Sequence, residues 1–323
     1  PPPPDTPTAK LSSAASDVYK RQFDAFANDP RKVRLADLDA DGDLDVLFTS
    51  RSDDHVGWFD NDGALPPTFV ARTITRDPDG PAVYVKVPIV ELPQFPSDYR
   101  GVAESGGRPG RTDGVTGIAV GDIDGDGDPD IATASANDSK IAWHDNRSCG
   151  VVFPFQPPVS SDPIDGAASV VSADIDGDGD VDVVAASSND DSVRWYENDG
   201  ALFPSFTTRF VTLAAGGAQT VHVADVDGDG APDVLVAAPE ANKVAWYEND
   251  GASPPNFTEH IVTASAAGPR GVHGADIDGD GDTDILTATS ADRSITLWSN
   301  QGGSPPMFEP EVVSRGGLAP WAV

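Results

Sequence analysis

The sequence predicts an all-β fold, a β-propeller of four-stranded antiparallel blades, and three observations predict it. An Asp-rich loop recurs five times, opening at Asp37, Asp122, Asp174, Asp225 and Asp276. A tryptophan follows each loop at an almost constant distance: Trp58, Trp143, Trp195, Trp246 and Trp298. The chain of 323 residues carries 32 Gly and 29 Pro, and its apolar runs are short. Self-similarity at a period of about 50 residues marks one stacked repeat array rather than several separate domains.

The fourth copy shows how one repeat makes four strands. Val221-His222-Val223-Ala224 is the first, and the Asp-rich loop runs from Asp225 to Asp233. Val234-Leu235-Val236-Ala237 is a short apolar run suited to burial on both faces. Pro239 to Asn242 is a turn, and Val244-Ala245-Trp246-Tyr247 is the third strand. Asn249-Asp250-Gly251 is a turn with Gly free to adopt positive φ, and Phe257 to Thr263 alternates as the fourth strand. A large aromatic at one strand position per copy fills the space between neighbouring sheets more simply than it binds a ligand.

By this pattern five blades are visible, over about 31–76, 114–165, 166–216, 217–267 and 268–315, in a propeller region of 23–323. Residues 77–113 form an insertion between the first and second copies, rich in Pro and Gly and carrying Tyr84, Phe95 and Tyr99. Phe23 to Pro30 reads as the tail of an earlier fourth strand. Pro320 to Val323 reads as the approach to another first strand, so that 316–323 starts a further blade. The expected object is a fragment of a longer array. Residues 1–22 do not fit the repeat and are expected to lie outside the fold, disordered or non-native.

Charge narrows the partners. With 53 acidic residues against 21 Lys and Arg, the net charge is −32, which opposes nucleic acid and anionic membrane surfaces. No apolar run is long enough for a membrane-spanning helix. Cys149 is the only cysteine, which excludes an intrachain disulfide.

Of the acidic residues, 24 lie inside the five loops. The first is Asp37-Leu38-Asp39-Ala40-Asp41-Gly42-Asp43-Leu44-Asp45, and all follow D-x-D-x-D-G-x-x-D. The second offers Asp122, Asp124, Asp126, Asp128 and Asp130; the third Asp174, Asp176, Asp178, Asp180 and Asp182. The fourth offers Asp225, Asp227, Asp229, Ala231 and Asp233; the fifth Asp276, Asp278, Asp280, Asp282 and Asp284. Carboxylates at alternate positions repel one another unless a loop curls them around a cation. Ca²⁺ accepts 6–8 oxygens in flexible geometry, whereas Mg²⁺ keeps its waters and a strict octahedron. Position six is Gly in every copy, as a sharp turn requires. Position seven serves through its backbone carbonyl in loops of EF-hand type, a role open to Ala231. The flanks are strand-like, and position twelve is Phe48 in the first loop and Thr133 in the second, so this is not a helical EF-hand.

The loops, the Val244 to Gly251 segment and the spacing resemble FG-GAP/VCBS repeats, the family of integrin α-chain propellers and many secreted proteins. The resemblance covers about residues 23–323. It implies up to five Ca²⁺ sites, with side-chain oxygens from positions one, three, five and nine and a carbonyl from position seven. It also implies a ring of seven blades, an extracellular or cell-surface setting, and a binding or adhesion role toward a protein or glycan partner. The Phe-Gly-Gly-Ala-Pro signature is absent as such; Asn-Asp-Gly-Ala stands at 61–64, 198–201 and 249–252. In a meander blade the Asp-rich loops lie at one end of the sheets, and the 77–113 insertion at the other, where a ligand would bind.

No catalytic constellation is recognisable. The histidines are His55, His144, His222, His260 and His273; His222 and His273 each precede a loop by three residues, and a structural role is expected for them. A calcium-dependent polysaccharide lyase and a structural module of a larger surface protein are the alternatives to a binding module.

Overall fold

The computed structural model describes residues 29–52, 54–64, 69–75, 114–146, 158–159 and 162–316. The expectations for residues 1–22, the 77–113 insertion and the strand approach at 320–323 lie outside them. The described residues are all-β, without a helix, in five antiparallel sheets consistent with propeller blades.

Sheet 1 holds β1 (Pro30–Ala36), β2 (Asp45–Ser50), β3 (His55–Asn61) and β4 (Phe69–Thr75). Sheet 2 holds β5 (Val115–Gly121), β6 (Asp130–Ser135) and β7 (Lys140–His144); the segment expected to supply its fourth strand lies largely outside the described residues. Sheet 3 holds β8 (Ala167–Ala173), β9 (Asp182–Ser187), β10 (Val193–Asn198) and β11 (Phe206–Thr212). Sheet 4 holds β12 (Thr220–Ala224), β13 (Asp233–Ala238), β14 (Lys243–Asn249) and β15 (Phe257–Thr263). Sheet 5 holds β16 (Pro269–Ala275), β17 (Asp284–Thr289), β18 (Ser294–Gly303) and β19 (Pro306–Arg315). Each is a meander in chain order, so every Asp-rich loop joins the first and second strands and shares one end of its sheet with the turn between the third and fourth.

Second strands are buried on both faces, as their apolar runs require: every residue of β6, β9 and β13 is buried. Their two faces look at different neighbours. Leu47, Ala132, Val184 and Leu235 pack on the following sheet; Ile131, Val183, Val234 and Ile285 pack on the preceding one. An apolar cluster thus fills each junction between consecutive sheets. First strands also run side by side, β1 against β5, then β8, β12 and β16. Among the described residues no such cluster joins sheet 5 to sheet 1.

The tryptophans need one correction. Trp58, Trp143, Trp195 and Trp246 all face the following sheet, Trp246 lying opposite Leu235 on the neighbouring strand. Trp298 stands one residue later in its repeat and lies opposite Ile285, so it packs backward onto sheet 4. Side chains alternate along a strand, and a one-residue slip moves the ring to the other face. Leu297 occupies the forward-facing place in sheet 5.

Candidate metal centre

Each Asp-rich loop is a nest of short-range hydrogen bonds that the sequence pattern dictates. The position-six glycine donates its N–H to the first Asp: Gly42 to Asp37, Gly127 to Asp122, Gly179 to Asp174, Gly230 to Asp225 and Gly281 to Asp276, at 3.0 to 3.1 Å. These glycines have φ between 92° and 100°, in the left-handed region that disfavours a Cβ. Position seven donates to the position-five carboxylate in all five loops, as Ala231 does to Asp229 at 2.7 Å. Position four also takes positive φ: it is Gly in four loops and Ala40, at 57°, in the first. The loop pattern left that position unspecified.

These bonds use part of each carboxylate and aim the rest inward. In each loop three carboxylates bring one oxygen apiece within 4.8 Å of the others. The groups are Asp37, Asp39 and Asp41; Asp122, Asp124 and Asp130; Asp174, Asp176 and Asp182; Asp225, Asp227 and Asp229; and Asp276, Asp278 and Asp284. Position five in loops two, three and five (Asp126, Asp178, Asp280) and position nine in loops one and four (Asp45, Asp233) fall outside these groups. So do all position-seven side chains, and Asp43 and Asp180 lie instead against the turn glycines Gly63 and Gly200. Buried Oδ1 atoms of Asp39, Asp122 and Asp176 have no hydrogen-bond partner. Convergent carboxylate oxygens, some buried and unsatisfied and with no nitrogen or sulfur among them, fit a hard divalent cation.

Position nine joins the convergent group in loops two, three and five, and it has a second role in all five. Its carboxylate is fully buried in every loop and accepts at least two backbone N–H groups. Asp182 takes Ile175 N–H at 3.0 Å and Asn198 N–H at 2.8 Å, and Asp233 takes Val226 N–H and Asn249 N–H, both at 2.8 Å. Burial pushes Asp130, Asp182 and Asp233 up to about 7 against these stabilising bonds, and Asp45 up to about 6. Burial first, then a neighbouring loop carboxylate, raises Asp39, Asp176 and Asp278, and takes Asp124 to about 6. A cation at the centre would oppose both effects by favouring the charged carboxylates.

The structure adds a residue that the motif had left in a turn. Asn61, Asn146, Asn198, Asn249 and Asn300 stand at one constant distance from the first Asp of their repeats. From sheet 2 onward the side-chain amide donates backward to the second loop residue of the preceding sheet: Asn146 to Leu38 O at 2.9 Å, Asn198 to Ile123 O at 2.7 Å, Asn249 to Ile175 O at 2.7 Å and Asn300 to Val226 O at 3.1 Å. Because each Asn also donates its backbone N–H to position nine of its own loop, neighbouring loops are tied into one layer. The signal was present as that fixed spacing, but a turn role explained an Asn equally well.

The histidines take separate places. His144 is buried, and burial pushes it down to about 4. His260 stacks on Trp246 with ring centroids 4.5 Å apart and bonds Glu248 at 2.6 Å. His222 and His273 come together, centroids 4.1 Å apart, with His222 Nε2 3.2 Å from Gly274 O.

The FG-GAP-like repeat family matches the chain in three overlapping stretches, 122–185, 174–236 and 225–287, each running from one Asp-rich loop into the next; together they span just over half of its length. The chain belongs to the FG-GAP-like repeat family. No curated protein matches this FG-GAP-like chain. Among solved structures it is similar to a lectin from Agrocybe aegerita, described for specific recognition of non-reducing terminal N-acetylglucosamine: 20% identity, TM-score 0.54, covering 88% of this chain and 66% of the lectin, just under two thirds of its length. It is also similar to virginiamycin B lyase from Staphylococcus aureus: 13% identity, TM-score 0.52, covering 90% of this chain and 73% of the lyase. At these identities the likeness is one of fold. No helix among the described residues is long and apolar enough to cross a membrane.

Proposed function

We propose that this FG-GAP-like chain is a calcium-binding β-propeller working outside the cell as a binding module for a protein or glycan partner. The observation that carries the reading is the set of five loops, each converging three carboxylate oxygens at the same end of its sheet. Calcium is favoured over magnesium because the loops offer many protein oxygens in a flexible nest. In each loop the side chains of positions one, three, five and nine and the carbonyl of position seven are the ligands. Ala231 keeps that carbonyl, so the fourth loop remains a site. Extracellular calcium modules bind at about 10⁻⁴–10⁻³ M, a range met outside cells and not in cytosol. The five sheets are blades, and the cations tie one end of them into a rigid layer. The fold likeness to a lectin supports a glycan among the partners.

Calorimetric titration of the whole chain with CaCl₂ tests the reading. Several sites in the range of about 10⁻⁴–10⁻³ M, and a melting temperature that drops sharply on chelation, are expected. Absence of binding up to several millimolar would reduce the loops to turns. A glycan array probed with the calcium-loaded protein, and again with chelator, then separates glycan from protein partners.

A further inference from the structure

His222 and His273 hold the same place in successive repeats, three residues before the first loop Asp. Arg34, Ala119 and Val171 stand there in the other three sheets. Sheets 4 and 5 are therefore the one consecutive pair that sets imidazole beside imidazole. β12 and β16 run side by side, and the two rings stand with centroids 4.1 Å apart, inclined at 44°. Both residues are half-buried and remain in part open to solvent.

A glycine makes this approach possible. Gly274 stands where the other sheets have Leu35, Val120, Ser172 and Val223. A Cβ there would lie 2.8 Å from Leu235 Cδ1 and 3.0 Å from Ala224 Cβ, both in sheet 4, so its absence lets β16 pack this close. The same residue fixes the first ring. Gly274 O lies 3.2 Å from His222 Nε2, and a carbonyl oxygen only accepts, so Nε2 carries the proton. The neutral ring then holds its lone pair on Nδ1. A backbone carbonyl on the far nitrogen is the usual companion of a metal-binding histidine, because it sets the tautomer and the ring orientation. Among the described residues no hydrogen bond occupies either nitrogen of His273.

The chemistry suits a metal other than calcium. Burial pushes His222 down to about 4 and lowers His273, with the Arg34 charge a last and smaller contribution, so both rings are neutral at physiological pH. Neutral imidazole is the form that binds metal. An ion holding two imidazole nitrogens at about 2.0–2.1 Å each spaces them at most about 4.2 Å apart. Rings centred 4.1 Å apart already stand within that reach. Two nitrogen donors select a borderline transition ion, where the all-oxygen loops select a hard one. Among the described residues no carboxylate, thiol or third imidazole completes the group.

We propose that His222 and His273 bind a single borderline transition-metal ion, Cu²⁺ or Zn²⁺, through one imidazole nitrogen each, with water in the remaining positions. His222 binds through Nδ1, held in place by the Nε2 bond to Gly274 O. The ion joins β12 to β16 and so clasps sheet 4 to sheet 5. The site is separate from the Asp-rich loops and does not depend on the calcium reading. The net charge of −32 draws cations to both kinds of site, and the donor atoms sort them.

The test is a titration of the whole chain with CuCl₂ near neutral pH in excess CaCl₂, followed by electron paramagnetic resonance. This spectrum counts the nitrogens on the copper, and Cu²⁺ caught in an Asp-rich loop shows oxygen ligands alone, whether or not calcium fills that loop. The first equivalent is expected to show two imidazole nitrogens. His222→Gln and His273→Gln are each expected to leave one nitrogen and to weaken binding at least about tenfold, since even the outer partners of a ligating histidine are worth that much. His260→Gln, at the ring stacked on Trp246, is expected to change neither. Displacement of the copper by excess ZnCl₂ marks the site as open to both ions, and retention marks it as a copper site. A parent spectrum with one nitrogen or none, or a folded His273→Gln protein that binds as well as its parent, would overturn the proposal. Should neither variant fold, the nitrogen count of the parent decides.

Discussion

Val226 and Ile277 hold the same place in successive repeats, directly after the first loop Asp, and they have opposite fates. Val226 is 1% exposed and sits under sheet 5, whereas Ile277 is 45% exposed. The same contrast runs down the forward faces of the two sheets. Trp246 is buried in the junction, while Leu297, at its place in sheet 5, is half-buried. Val226 O receives the amide of Asn300, and Ile175 O that of Asn249. At the other end of the row, the Asn61 amide donates, among the described residues, only to Leu44 O of its own sheet, at 3.1 Å. The repeat sets what each residue can offer, and the adjoining sheet sets what that offer is worth. The β18 sequence follows this: at the forward face without an apolar junction, Leu replaces Trp, and the Trp turns back into the junction that exists.

Four experiments press on that contrast, the first with the largest effect. Val226→Asp buries an unpaired carboxylate in a closed junction and is expected to abolish cooperative folding, whereas Ile277→Asp stays within about 0.5 kcal/mol of the parent. Denaturant melts of both variants check this, and equal losses would mean that the two faces are covered alike. Trp246→Ala is expected to cost about 3–5 kcal/mol, and Leu297→Ala about 1 kcal/mol, by the same measurement. Asn249→Ala frees the buried carbonyl of Ile175, the half-buried carbonyl of Pro232 and the N–H of Gly251. A cost of about 2 kcal/mol follows, against less than about 1 kcal/mol for Asn61→Ala. A matching loss at Asn61 would show that its amide also ties sheet 1 to a neighbour.

The last experiment uses pH on the chelated protein. The position-nine carboxylates of sheets 2, 3 and 4 titrate at about 7 when folded, well above the ordinary carboxylate range near 4. The folded state therefore holds more protons on these groups between those values, and their contribution to stability is full below about 4 and falls as pH rises toward 7. Asp45, at about 6, contributes a smaller share of the fall. Thermal melts from pH 4 to 8 are expected to flatten more in Asp182→Asn than in Asp45→Asn. With calcium present the trend turns over, because the ion displaces those protons and binds more tightly as pH climbs.

Much of the fold was legible because each repeat encodes its strands locally. The fourth copy's strand assignments match β12 to β15 within two residues at each end, since apolar runs and Asn-Asp-Gly turns act over a few residues. The loops were legible for the same reason: position-six glycines and alternate carboxylates state their geometry in nine residues. The Asn tie was not legible, because its acceptor lies 74 residues away in the case of Asn249 and Ile175. The reversal of Trp298 was visible only as an offset longer by one residue, which has meaning once the two faces of a strand look at different neighbours.

By itself, the sequence determined the strands, the turns, the five carboxylate nests and the excess of negative charge, because these depend on contacts within one repeat. Tertiary structure decided which carboxylates converge, which forward faces are closed and which histidines meet across a junction. His222 and His273 lie one repeat apart along the chain and share an environment only because β12 and β16 run side by side. Burial and electrostatics follow distance in space, and only packing between repeats fixes that distance.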